Sequence, residues 1–156
     1  MTGAVLRDAD GSDLDAIMAI EESEFTSDAW SRSMMAAEIR SRHTRYLVAE
    51  LGEAVVGYAG LLCPAGAHEG DVQTIAVVPS ARGTGLGRRL LRSLLETATE
   101  RGAREVFLEV RADNPVAQAL YRSEGFEEIA VRPAYYQPDG VDAIVMRLPL
   151  ASQETP

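Results

Sequence analysis

The residues best placed to do chemistry begin with a run of glycines. In Thr74-Ile75-Ala76-Val77-Val78-Pro79-Ser80-Ala81-Arg82-Gly83-Thr84-Gly85-Leu86-Gly87-Arg88-Arg89, a β-rich stretch ends, three glycines fall at alternate positions, and a helical pattern begins. Glycine lets a backbone turn tightly and approach a ligand closely. The first N–H groups of a helix lack internal acceptors, and the helix dipole is positive there, so such a junction favours an anion. Arg82, Arg88 and Arg89 add positive charge, and a pyrophosphate is the group this arrangement would hold. The bland alternative is a glycine-rich strand-to-helix turn with solvated arginines. Two familiar phosphate loops are excluded. Arg88 stands where the dinucleotide fingerprint G-x-G-x-x-G needs its last glycine, and a chain without a single lysine cannot carry G-x-x-x-x-G-K.

What the segment does fit is R-x-x-G-x-G, as Arg82, Gly85 and Gly87. This resembles the acetyl-CoA pyrophosphate loop of the GNAT acetyltransferases. A second stretch, Leu108-Glu109-Val110-Arg111-Ala112-Asp113-Asn114-Pro115 continuing to Tyr121 and Phe126, is similar to the RimI-like N-terminal acetyltransferases of that superfamily. So is the closing Arg132-Pro133-Ala134-Tyr135-Tyr136, followed by Asp142-Ala143-Ile144-Val145-Met146. The similarity runs from about Leu6 to Leu148. It implies the GNAT α/β fold, a mixed central sheet flanked by helices, with acetyl-CoA as acetyl donor and no metal. The implied acceptor is the N-terminal amine, that of an alanine, of a ribosomal protein. The resemblance makes Glu109 the proton acceptor and Tyr121 the proton donor. It places Ile75, Ala76 and Val77 along the cofactor's pantetheine arm, and Arg82, Gly83, Thr84, Gly85, Leu86, Gly87 and Arg88 around its pyrophosphate, with Asn114 as a further cofactor contact. Trp30, Tyr135 and Tyr136 would line the peptide slot, although Ala29 stands where the family commonly has proline.

The chemistry is sound on general grounds. An α-amine has a pKa of about 7.7–8.0 against about 10.4 for lysine, so roughly a tenth is neutral near pH 7. One carboxylate acting directly or through water then suffices as base. A phenol near 10 keeps its proton until a thiolate, at about 8.5, needs it. No strong nucleophile pair is present, which favours direct attack over an acyl-enzyme. Each residue also has an ordinary reading. Glu109 alternates with Leu108 and Val110 and could be the wet face of a strand. Tyr121 could be helix packing, Asn114 a helix cap, Tyr135 and Tyr136 hairpin aromatics. Two other functions stay open: transfer to a small-molecule amine or to protein lysines, and a domain that binds acetyl-CoA without turnover.

The elements that must hold these residues follow from periodicity. A short strand near Ala4 to Arg7 precedes a helix starting at Ser12 or Asp13, with Leu14, Ile17 and Ile20 on one face. A second helix is expected over about Ser31 to Arg40. Tyr46 to Glu50 and Ala54 to Leu62 read as a hairpin about Gly52, and Asp71 to Val78 as a strand that Pro79 ends. Leu86, Leu90, Leu91, Leu94, Leu95 and Ala98 give an amphipathic helix closed by Gly102. Glu105 to Val110 is a strand. Asn114-Pro115 starts a helix that runs to Ser123 and leaves through Gly125. Two strands close the chain, about Phe126 to Arg132 and Val141 to Leu148, with Tyr135 and Tyr136 in the loop between.

The 156 residues suit one domain over 1–150 with a polar tail over 151–156. With 15 basic residues against 24 acidic, the net charge of −9 argues against nucleic acid as partner. No apolar run of about 18 residues suggests a membrane span. A start without the basic-then-apolar pattern leaves a soluble, cytoplasmic protein, most simply a monomer, as the expectation. Cys63 is the only cysteine and reads as a small buried strand residue; His43 and His68 form no ligand pair.

Overall fold

A computed structural model describes residues 3–25 and 28–150. The expected tail, 151–156, lies outside them. The elements are β1 (Val5–Asp8), α1 (Leu14–Glu24), α2 (Arg32–Arg40), β2 (Thr44–Leu51), β3 (Ala54–Leu62), β4 (Glu69–Val77), α3 (Leu86–Glu100), β5 (Glu105–Arg111), α4 (Pro115–Ser123), β6 (Glu127–Tyr136) and β7 (Val141–Pro149), with single 3-10 turns at Gly11–Asp13 and Pro79–Ala81. This is the expected order. Asp13 is the N-cap of α1, as expected, but its side chain makes no bond to that helix; it reaches back to the Asp10 N–H while Asp10 accepts from the Ser12 N–H, a capping box on the 3-10 turn that precedes α1.

One seven-stranded sheet runs β1-β2-β3-β4-β5-β7-β6, antiparallel except for β4 beside β5. Its two faces carry separate cores. On one, α3 packs Leu86, Leu90, Leu91 and Leu94, all almost fully buried, against β2, β3 and β4. Each such leucine contributes about 1.5–3 kcal/mol of burial. On the other, Ile17, Met18 and Met35 of α1 and α2 cover Tyr46, Val48 and Tyr58. Gly60 admits the Tyr46 ring, since a Cβ there would lie 2.2 Å from its Cζ.

The feature that makes a site is the parting of β4 from β5. They pair only at Glu69–Glu105, Gly70–Val106 and Asp71–Phe107. Against β3, the register of β4 then shifts so that Gln73 is one residue too many, a bulge. The Gln73 amide is held by the Tyr46 hydroxyl at 2.7 Å and Glu38 at 2.9 Å. Beyond the bulge β4 stays with β3, while β5 stays with β7 along its whole length. A cleft of about 880 Å³ opens between them.

The last hairpin departs from expectation. Tyr135 and Tyr136 lie on β6, not in a loop. Two extra residues on β6 between the pairs Arg132–Ala143 and Tyr136–Val141 are absorbed with Ala134 at φ +52°, and the ladder resumes.

Candidate active site

The loop from β4 to α3 is shaped by two glycines in the left-handed region, Gly83 at φ +77° and Gly85 at φ +82°. Gly85 is the N-cap of α3 and offers no side chain to the helix end. As a result the backbone N–H groups from Gly83 through Arg88 find no acceptor among the described residues. Orphan donors at the positive end of a fifteen-residue helix are a ready anion site. Gly87 is different. Its backbone is ordinary and a Cβ would only touch Leu120 at 3.6 Å, so no protein atom demands a glycine there. Thr84 steadies the turn by donating to the Ala81 carbonyl at 2.6 Å.

The arginines are more committed than expected. Arg82 pairs with Glu24 and donates to the Val77 carbonyl at 3.3 Å. Arg88 pairs with Glu124 and reaches Ser123 Oγ at 2.8 Å, and Arg89 turns to the Ala4 carbonyl at 3.0 Å. Arg82 and Arg88 thus remain at the loop, shared with carboxylates, whereas Arg89 also ties α3 to the start of the chain.

On β4, the Val78 N–H donates to the Val56 carbonyl of β3 at 2.9 Å. Backbone groups alternate sides along a strand, so those of Ile75 and Val77 face the edge that β5 has left. That edge offers donors and acceptors to an extended ligand. The Ala76 side chain packs into the α1–α2 core instead.

Glu109 lies on the open face of β5 and lines the cleft, with Arg132 Nε 2.8 Å from its Oε2. The Arg132 guanidinium also stacks 5.4 Å over the Tyr135 ring. Tyr121, on α4, enters the same cleft from the other side. Its ring meets Phe126 edge-on at 6.0 Å, and no described group hydrogen-bonds its hydroxyl. Burial pushes its phenol up to about 12. Asn114 caps α4 by accepting from the Ala117 N–H at 3.1 Å and leaves its amide NH2 toward the cleft it lines. Trp30, Ile75, Tyr135 and Tyr136 are further walls, so seven of the residues singled out by sequence share one cavity. Ala76, Val77 and the segment 82–88 are not among its walls and lie past it, where β4 runs into α3.

Three charged residues at the cleft escaped sequence reasoning. Arg132 stood in a quoted motif, but nothing local pairs it with Glu109. Arg111 gathers carboxylates from three loops. Glu21, in a run of acidic residues that reads as a solvated helix face, is buried. It accepts from the Tyr58 hydroxyl and from the Trp30 N–H, the latter at 2.9 Å. Burial raises its carboxyl, opposed by those two hydrogen bonds. Asp71, exposed on β4, has its carboxyl raised by partial desolvation and by the nearby Glu69 and Glu109. Glu21, Asp71 and Glu109 thus line one cleft together with Arg111 and Arg132.

A family model described as "Acetyltransferase (GNAT) family" matches residues 14–126. Among curated proteins, the chain is 46% identical over 122 residues to the N-alpha-acetyltransferase RimI of Mycobacterium tuberculosis, covering 77% of this chain and 75% of that one. It is 42% identical over 139 residues to an uncharacterized protein of Mycobacterium leprae, of whose length it spans only 38%. The crystal structure of the ribosomal-protein-S18-alanine N-acetyltransferase from Escherichia coli superposes with a TM-score of 0.84 at 31% identity, covering 97% of this chain and 98% of that one. The split sheet, the acceptor-poor loop at the head of α3 and these relatives agree: the chain belongs to the GNAT acetyltransferase family.

Proposed function

We propose that this protein acetylates the α-amine of a protein N-terminus, that of a ribosomal protein beginning with alanine, with acetyl-CoA as donor and the cytoplasm as its place of work. The observation that carries the reading is the placement of Glu109 and Tyr121 in one cleft, opened where β4 leaves β5 and continued toward the acceptor-poor loop of α3. The names of the M. tuberculosis and E. coli relatives support the choice of acceptor.

Acetyl-CoA supplies the acetyl group as an activated thioester. The N–H groups from Gly83 to Arg88 would hold its pyrophosphate, with Arg82 and Arg88 released from their carboxylates to assist. The outward backbone groups of Ile75 and Val77 would pair with the amides of its arm, and the Asn114 amide would add a contact. Glu109 takes the amine proton, directly or through water. About a tenth of an α-amine is already neutral near pH 7, so a carboxylate is strong enough. Tyr121, protonated up to about 12, gives its proton to the departing thiolate. Cys63 is fully buried outside the cleft walls, and burial raises its thiol, which disfavours an acyl-enzyme on that sulfur. Trp30, Tyr135 and Tyr136 shape the slot that receives the peptide.

The test is thiol release from acetyl-CoA with two matched peptides. One begins Ala-Arg with a free amine; the other is blocked at its N-terminus and contains lysine. Turnover on the free peptide alone is expected. Turnover on the blocked peptide, or on a polyamine in preference to either, overturns the acceptor assigned here.

A further inference from the structure

Three connections enclose the acceptor end of the cleft. The α1–α2 connection carries Trp30, the β5–α4 connection carries Asn114, and the β6–β7 hairpin carries Tyr135 and Tyr136. They are distant in sequence, yet each sends a carboxylate to the same guanidinium, that of Arg111 at the end of β5. Arg111 Nη1 lies 3.6 Å from Asp28, two residues before Trp30. Its Nε and Nη2 bind the two oxygens of Asp113, next to Asn114, at 3.0 and 3.2 Å. Nη2 also donates to Asp139, at the hairpin turn, at 3.1 Å. The plane of the group stacks 5.0 Å over Tyr136. Arg111 is only 18% exposed and sits on the same strand face as Glu109, two residues away.

We infer that Arg111 is a positioning residue that clamps the three walls of the acceptor slot around Glu109; this rests on the acetyl-transfer reading above. A guanidinium suits the task because its rigid fork serves several acceptors at fixed angles while its face stacks on a ring, which a lysine ammonium does not do. Contact with the reacting atoms is not needed. The clamp holds Trp30, Tyr135 and Tyr136 where the incoming peptide meets them, so its loss is felt in acceptor binding before it is felt in chemistry. Among the described residues the cofactor loop at Gly83 to Arg88 shares no partner with Arg111 and should not sense the change.

The experiment uses the whole chain with Arg111→Met and, as a milder lesion that leaves the guanidinium in place, Asp28→Asn. Arg111→Met should raise the acceptor KM by about tenfold while kcat and the KM for acetyl-CoA stay within about threefold. Asp28→Asn should raise the acceptor KM by about threefold, and should add nothing when placed on Arg111→Met, as expected for two ends of one contact. Trp30 is the only tryptophan, so acrylamide quenching of its fluorescence reads the α1–α2 connection without any acceptor present. Quenching should rise in both variants under conditions where melting curves show them folded. An unchanged acceptor KM or unchanged quenching in the folded variants overturns the clamp. An equal loss of acetyl-CoA affinity also overturns it, because that is general loosening. If Arg111→Met does not fold, Asp28→Asn carries the same test. Failure of the wild type on peptide N-termini would instead overturn the acceptor reading, leaving the quenching result to stand or fall alone.

Discussion

The Tyr121 hydroxyl ends a ring that Phe126 fixes edge-on, in a position where burial holds the proton to about pH 12. Tyr121→Phe keeps the ring and removes only the hydroxyl that the proposed mechanism uses as proton donor. Turnover should fall by about 10²–10⁴, as for loss of a general acid, with acetyl-CoA affinity preserved. Glu109→Gln should do the same on the base side, and its loss also frees Arg132. Steady-state kinetics with separately measured cofactor binding checks both; turnover within about twofold of wild type removes that residue from the mechanism. Ala134 offers a different kind of test. At φ +52° it sits in a conformation that costs an L-residue about 1–2 kcal/mol. Ala134→Gly relieves this and loses about 0.5–1 kcal/mol in chain entropy. Urea unfolding should find the glycine variant as stable as wild type or up to about 1.5 kcal/mol more so, against the usual penalty for this exchange.

At the scale of elements, the loop into α3 separates two uses of glycine. Gly85 is demanded by the backbone, so Gly85→Ala, after the chain entropy it saves, should still cost up to about 1.5 kcal/mol of stability before any ligand is considered. Gly87 is demanded by nothing in the protein. Gly87→Ala should stabilise the free protein by up to about 1 kcal/mol through helix propensity. Where the cofactor's pyrophosphate closes on this first turn of the helix, as proposed, the added methyl should nevertheless weaken acetyl-CoA binding by about tenfold, or 1.4 kcal/mol. Melting curves with and without acetyl-CoA read both effects, and a Gly87→Ala variant with unimpaired cofactor binding would remove this residue from the cradle. The loop itself was legible in the sequence. Two of its three glycines answer to the sign of φ and a helix start, which are local matters. The cap at Asn114 and the exit through Gly125 were legible for the same reason.

Across the whole molecule, all fifteen basic residues are arginine, and the fold uses the fork. Arg7 binds both oxygens of Asp13 at 2.7 and 2.8 Å and Glu50 at 2.5 Å, and Arg101 ties α3 to the Cys63 carbonyl at 2.9 Å. The phenols form a second molecule-wide set. Those of Tyr46, Tyr58, Tyr121 and Tyr136 are all raised, each mainly by burial, Tyr121 to about 12. An unfolded phenol ionises near pH 10. Below that value both states keep the proton and the stabilisation is complete. As the pH rises from about 10 through the folded values, the unfolded state gives up protons that the folded state retains, and stability falls. Denaturant unfolding at a series of alkaline pH values, with tyrosinate absorbance of the folded protein, should show this decline and a native titration displaced above 10. A native titration centred at the ordinary value would contradict the burial described here.

What the sequence determined by itself is what neighbouring residues settle among themselves: element order, the amphipathic face of α3, the glycine loop with its exposed N–H groups, and the motif that pairs Glu109 with a tyrosine twelve residues on. Only the tertiary structure decided that β4 leaves β5 after Asp71, because the bulge at Gln73 is held by Tyr46 and Glu38 from other elements. It also decided that Arg132 meets Glu109, that Arg111 gathers three loops, that β6 runs through Tyr136 and that Glu21 is buried. The physical reason is common to all of these. A charge takes whichever opposite charge the chain's path brings near, a strand pairs for as long as its partner's register permits, and both depend on residues tens of positions away. Dihedral preference, capping and periodicity act within a few residues and carry no record of that path.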